Sequence, residues 1–75
     1  MADGFIHTVW KDGEWQNEVE GSGDRVPGSF STKEEAVAEG RLRAIRDSTE
    51  HVIHNQDGTI SERKSYGNDP IQRPG

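Results

Sequence analysis

The chain has 75 residues, only 28% of them hydrophobic, and a net charge of −5, which limits it to one domain with a small core. It contains no cysteine, so neither a disulfide framework nor a thiolate zinc site can supplement that core. No apolar run approaches the ~20 residues of a membrane span, and the acidic balance opposes nucleic acid over most of the surface.

The start, Met1-Ala2-Asp3-Gly4, lacks the basic and apolar regions of a signal peptide, and a soluble cytoplasmic protein is expected. Residues 1–4 read as a flexible N-terminus, 5–66 as a single α+β domain and 67–75 as a loosely ordered tail.

Phe5 to Val19 carries a hairpin signal, Asp12-Gly13 between β-forming runs. A two-residue turn would pair Trp10 with Trp15 and put Ile6, Thr8, Asn17 and Val19 on their face. A type I turn with Gly13 in a G1 bulge would pair Val9 with Trp15, His7 with Asn17 and Phe5 with Val19. The second register gathers Phe5, Val9, Trp15 and Val19 on one face and Glu14, Gln16 and Glu18 on the other. That alternation favours the bulged register, which turns Ile6 and Trp10 outward.

Glu20 to Asp24 reads as a flexible loop. Arg25 to Phe30 can form a third strand, confined to a sheet edge by Pro27 and Gly28. The helix start is marked by Thr32 and Glu35, a capping box, with Glu34 and Glu35 at the positive end of the dipole. The helix is predicted over residues 33–46. Its spacing puts Ala36, Val37, Gly40 and Ala44 on one stripe and Ala38, Leu42 and Ile45 on a second, with Arg41 between them. Glu39 and Arg43 are placed for an i,i+4 pair. A second hairpin spans His51 to Arg63 around Asn55-Gln56-Asp57-Gly58. Its bulged register pairs His54 with Ile60, puts Val52 on their face and turns Ile53 outward.

The order of these features resembles a known family. His7-Thr8-Val9, Asp12-Gly13-Glu14-Trp15, Thr32-Lys33-Glu34-Glu35-Ala36-Val37 and His51-Val52-Ile53-His54 carry the likeness, and the segment Asp57-Gly58-Thr59-Ile60 leading into Ser65-Tyr66-Gly67-Asn68-Asp69-Pro70 is its most specific part. Over roughly residues 5 to 70 the chain resembles the short bacterial and phage proteins called domain of unknown function 2188 (DUF2188). Trp10 stands where members often carry proline, and Leu42 falls one residue before the usual long aliphatic. The resemblance implies a fold and no assigned activity.

The fold expected is α+β: a small antiparallel sheet of four to five strands with one helix on one face, in the order ββ(β)αββ. Its core is expected to hold Phe5, Val9, Trp15, Val19, Phe30, Val37, Ala44, Val52 and Ile60.

No catalytic residue, metal ligand set or cofactor site is expected. No serine sits in a strand-to-helix elbow, and Gly21-Ser22-Gly23 lacks the rest of a phosphate loop. His51 and His54, three apart on a strand, point to opposite faces. His7 and His54 share the face expected to carry the helix and could meet as a pH-sensitive pair or partial zinc site, with Glu62 as the only supplement. Two ligands make a poor zinc site, so histidines bonded to backbone or to Asn17 are the simpler expectation.

Two surfaces could bind. Ile6, Trp10 and Ile53, read as outward-facing, and Ala38, Leu42 and Ile45 beside the helix are candidates for a protein interface. Arg41, Arg43, Arg46, Arg63 and Lys64 are the candidates for nucleic acid, opposed by Glu14, Gln16 and Glu18 on the outer face. The leading expectation is a non-catalytic interaction module that binds a protein partner or self-associates as a homodimer. The alternative is a weak nucleic-acid binder. No membrane partner is expected. Tyr66 reads as a structural anchor.

Overall fold

The computed structural model describes residues 4–21 and 25–67. The segments expected to be a flexible N-terminus and a loose tail therefore lie almost wholly outside the described residues, as does the middle of the loop after Glu20. The elements in chain order are β1 (Ile6–Lys11), β2 (Glu14–Val19), β3 (Arg25–Phe30), α1 (Lys33–Arg46), β4 (Glu50–His54) and β5 (Ile60–Ser65). The strands form one five-stranded sheet in the order β3-β2-β1-β4-β5, with α1 across one face. All neighbours pair antiparallel except the central pair β1 and β4, which is parallel. The long passage through β3 and α1 separates these two strands in sequence, as a parallel pairing requires.

The helix has the predicted bounds. Thr32 is its N-cap and its hydroxyl accepts from the Glu35 amide at 3.2 Å. At the other end, the Ser48 amide donates to the Ile45 carbonyl and the Thr49 amide to the Ala44 carbonyl. This is a Schellman termination with Ser48 in the left-handed position, φ 53°. Arg43 reaches forward to Asp47 at 2.8 Å rather than back to Glu39. Arg43 and Arg46 hold the Asp47 carboxyl below the usual range, chiefly through the Arg43 hydrogen bond.

The first hairpin takes the other register. Trp10 faces Trp15, Thr8 faces Asn17 and Ile6 faces Val19. Asp12 and Gly13 have φ of 53° and 82°, both positive as a two-residue type I′ turn requires, and aspartate tolerates that conformation. The one-residue slip reverses every side chain of β1. Ile6, Thr8 and Trp10 face α1, while His7 and Val9 lie on the open face. The reversal extends to β4, where His51 and Ile53 align with Ile6 and Thr8. Ile6 and Ile53, expected outward, are thus buried beneath the helix. Trp10, also expected outward, is half-buried with its ring edge-on to Trp15, centroids 5.4 Å apart.

The second hairpin does carry the bulge. His54 pairs with Ile60, and Gly58 has φ 94°. The Asp57 carboxylate accepts from the Thr59 amide at 3.0 Å and its hydroxyl at 2.7 Å; the amide bond first, then the hydroxyl, lowers the Asp57 pKa.

The core departs from the expected set. Trp15, Ala44 and Val52 are buried as expected, joined by Ile6, Ala36 and Ile53. Ile60 is 53% exposed, because β5 is an edge strand beyond the reach of α1. Phe5, Val9, Val19, Phe30 and Val37 are only partly covered.

Candidate functional site

The helix is seated on polar groups. Thr8, Asn17 and His51, from three adjacent strands, are all within 1% of full burial. The Thr8 hydroxyl donates to Asn17 Oδ1 at 2.5 Å, and Asn17 Nδ2 donates to the Ala36 carbonyl of α1 at 3.0 Å. With the Thr8 proton committed, His51 Nε2, 2.6 Å away, must be the donor to Thr8 Oγ1. Burial first, and then the charges of His7, Arg41 and Lys64, push the His51 pKa down to about 4, so the ring is neutral at neutral pH. Gly40 lies directly above: a Cβ there would stand 2.5 Å from Asn17 Oδ1, 2.6 Å from His51 Nε2 and 2.9 Å from Thr8 Oγ1. The small helix stripe thus permits close approach to a hydrogen-bonded chain.

Close seating at the centre leaves the flanks of the sheet uncovered. α1 packs on β1, β2, β3 and β4 but not on β5. Between α1 and the β4–β5 side lies a groove of about 360 Å³. Val37, Ala38, Ile53 and Tyr66 give it apolar walls, and Lys33, Arg41 and Lys64 stand around it with Glu34 and Glu62. Lys33 Nζ donates to Asn55 Oδ1 at 3.1 Å and lies 5.7 Å from the Trp15 ring centroid. Lys64 is 3.8 Å from Glu62, a loose surface pair. Tyr66 is anchored by its amide, which donates to the Thr49 carbonyl at 3.2 Å. Gly67 follows it against the Ser48 carbonyl, where a side chain would collide with backbone.

On the opposite flank a shallower hollow of about 200 Å³ is lined by Val26, Glu39, Leu42, Arg43 and Arg46. Leu42 and Ile45 are 58% and 49% exposed.

The interface candidates are therefore divided. Ala38 and Ile53 both line the main groove; Leu42 lies in the second hollow; Ile45 is on the outer helix surface; Ile6 belongs to the helix–sheet interior, and Trp10 is half-buried against Trp15. The basic candidates are divided too. Arg41 and Lys64 flank the groove, Arg43 and Arg46 engage Asp47, and Arg63 approaches Glu50 at 3.7 Å. Sequence reasoning missed the His51-Thr8-Asn17 chain; the signal available was a helical glycine on a small-residue stripe facing two central strands. His7 and His54 do meet, on the open face rather than under the helix.

Among the described residues no helix is long and apolar enough to cross a membrane. The chain matches no curated protein and no solved structure. Residues 6–66 match one family model. Most of the chain is covered, including both hairpins, the helix with Gly40, and Tyr66. The protein belongs to the family described as "Uncharacterized protein conserved in bacteria (DUF2188)".

Proposed function

We propose that this protein is a non-catalytic interaction module that receives a segment of a partner protein in the groove between α1 and the β4–β5 side of the sheet. One observation carries the reading: α1 stops short of β5, leaving an apolar-walled groove beside a sheet edge that no other strand among the described residues covers. Such a groove takes an apolar anchor, and an adjoining free edge can supply main-chain hydrogen bonds to an extended segment. The two edges differ. β3 is interrupted by Pro27, Gly28 and a register shift opposite Gln16 and Asn17, devices that discourage pairing. β5 pairs regularly with β4 over Glu50 to Ile53. The charges select the partner's chemistry: three cations against two carboxylates surround the groove in a chain of net charge −5. That favours an apolar residue flanked by acidic ones.

A peptide-display selection against the full chain tests this. Selected peptides are expected to carry an apolar residue beside Asp or Glu, and the double variant Arg41→Glu, Lys64→Glu should bind them at least tenfold more weakly. Selection of basic peptides, or unchanged affinity in that variant, would contradict the proposal. Saturable binding of a short DNA duplex by the same residues would favour the nucleic-acid alternative. Concentration-dependent dimerisation lost in the variant would make a second copy the occupant.

A further inference from the structure

On the face of the sheet away from α1, His7 of β1 and His54 at the end of β4 stand side by side. His7 Nδ1 is 2.9 Å from His54 Nε2. The outer nitrogen of each ring is already engaged. His7 Nε2 lies 2.6 Å from Glu20 Oε1, and His54 Nδ1 lies 3.3 Å from the Gly58 carbonyl. A carbonyl oxygen only accepts, and so does an ionised carboxylate. Both outer nitrogens therefore carry protons. In neutral rings the two inner nitrogens then both present lone pairs, and two facing lone pairs at this distance need a cation between them.

This outer arrangement is the one that orients histidines as ligands: the second N–H of each ring is held by a carboxylate or a backbone carbonyl, which fixes the tautomer and raises the basicity of the inner nitrogen. Without a metal ion, one shared proton answers the same demand. Ring centroids 5.1 Å apart are close to the head-on limit of about 5.2 Å set by the 2.9 Å gap and the size of the rings, so the present alignment is that of an N–H···N bond. An ion bound at about 2.0–2.1 Å from each nitrogen would span the same gap with an N–metal–N angle of about 90°, each ring first turning by roughly 30° from its near head-on alignment to aim its lone pair at the ion. That is a cis pair of tetragonal coordination, the geometry of Cu(II) or Ni(II) with nitrogen and oxygen ligands.

Among the described residues no group of three imidazoles and carboxylates is arranged to hold an ion, so solvent would complete the coordination. Glu18 is the cross-strand partner of His7 and shares its face. Its present bond is to the exposed Lys11 at 3.1 Å, which is easily exchanged. Both rings are partly exposed, leaving a path for an ion to enter.

We infer that His7 and His54 form a two-histidine site for a borderline divalent transition metal of the Cu(II) or Ni(II) type, with Glu20 as a positioning residue that acts through His7. The site lies on the opposite face from the groove and does not depend on it.

The test is a calorimetric titration of the full chain with Ni(II) and, in a weakly coordinating buffer, Cu(II), together with imidazole nitrogen NMR spectra. One ion per chain is expected, with the His7 Nδ1 and His54 Nε2 resonances shifted or broadened and those of His51 unaffected. His54→Asn should weaken binding at least tenfold. Should that variant unfold, Glu20→Gln gives an independent answer, because Glu20 is exposed at the end of a hairpin. It leaves both ligands in place and should weaken binding about tenfold. Absence of binding at millimolar metal, with spectra showing a shared proton only, would overturn the inference. So would binding that neither variant weakens, or binding that maps to His51.

Discussion

Replacing Gly40 with alanine should destabilise the protein, although alanine is the better helix former. On an exposed helix the change is worth about 0.8–1.0 kcal/mol in the protein's favour. Here the new Cβ would fall 2.5, 2.6 and 2.9 Å from Asn17 Oδ1, His51 Nε2 and Thr8 Oγ1. None of the three can yield alone. Asn17 is tied to the Ala36 carbonyl of the helix itself, and Thr8 and His51 sit on the central parallel strands. α1 must lift from the sheet, an overpacking cost of about 1–3 kcal/mol, and a buried hydrogen bond breaks and leaves its partner unmatched, about 1–3 kcal/mol more. Less the gain in helix propensity, the net loss should be about 1–5 kcal/mol. At about 4–8 °C per kcal/mol for a domain of this size, the melting temperature should fall by at least about 4 °C and by roughly 20 °C at the middle of that range. Circular-dichroism melts of Gly40→Ala beside Ala38→Gly provide the comparison, since Ala38 is exposed and should report propensity alone. A Gly40→Ala variant that melts at or above the wild-type temperature would refute the reasoning.

Three further outcomes follow from the same structure. His51 has its pKa lowered from 6.5 to about 4, so below pH 6.5 the unfolded chain takes up a proton that the folded chain refuses. This contribution to stability is complete above pH 6.5 and is lost as pH falls toward about 4; between pH 7 and 5 it amounts to about 2 kcal/mol. Urea melts of wild type and His51→Asn should show that dependence only in the wild type, and parallel curves would contradict it. Ser48→Gly should raise stability by about 0.5–1 kcal/mol in thermal melts, because serine holds the left-handed helix-ending position at φ 53°; a loss would mean that its side chain contributes. Gly67→Ala should release Tyr66 from the groove wall, seen as increased Tyr66 fluorescence quenching by acrylamide at unchanged helix content. Unchanged quenching would show that the close approach to Ser48 is not what holds Tyr66.

The parts of this architecture legible in the sequence are those with local chemical causes. Thr32 and Glu35 mark the helix start, and Pro27 and Gly28 mark an edge strand, because capping and φ restriction act within a few residues. Asp12-Gly13 marks a hairpin but is compatible with two turns, and the choice rested on apolar alternation. That criterion failed because the helix-facing side of β1 and β2 carries Thr8 and Asn17 at its centre, which look like surface residues. In β4, His51, Val52 and Ile53 are all buried, so alternation held no information about which side faced the helix. The groove was half legible. Ala38 and Arg41 were placed on the helix flank, but pairing them with Ile53 and Lys64 required the parallel placement of β4 beside β1. The meeting of His7 and His54 was foreseen as a possibility of the strand order; the face on which they meet followed from the register.

The claim that matters most is that the groove beside β5 is the binding surface. Amide-shift mapping on the labelled 75-residue chain, titrated with a peptide selected against it, tests this most directly. The account predicts shifts concentrated in residues 33–41, 51–53 and 60–66, and absent from the Leu42 hollow and the open face. Saturable shifts confined to His7, Val9 and Gln16, or to Val26 and Leu42, would contradict it and place recognition elsewhere on the sheet.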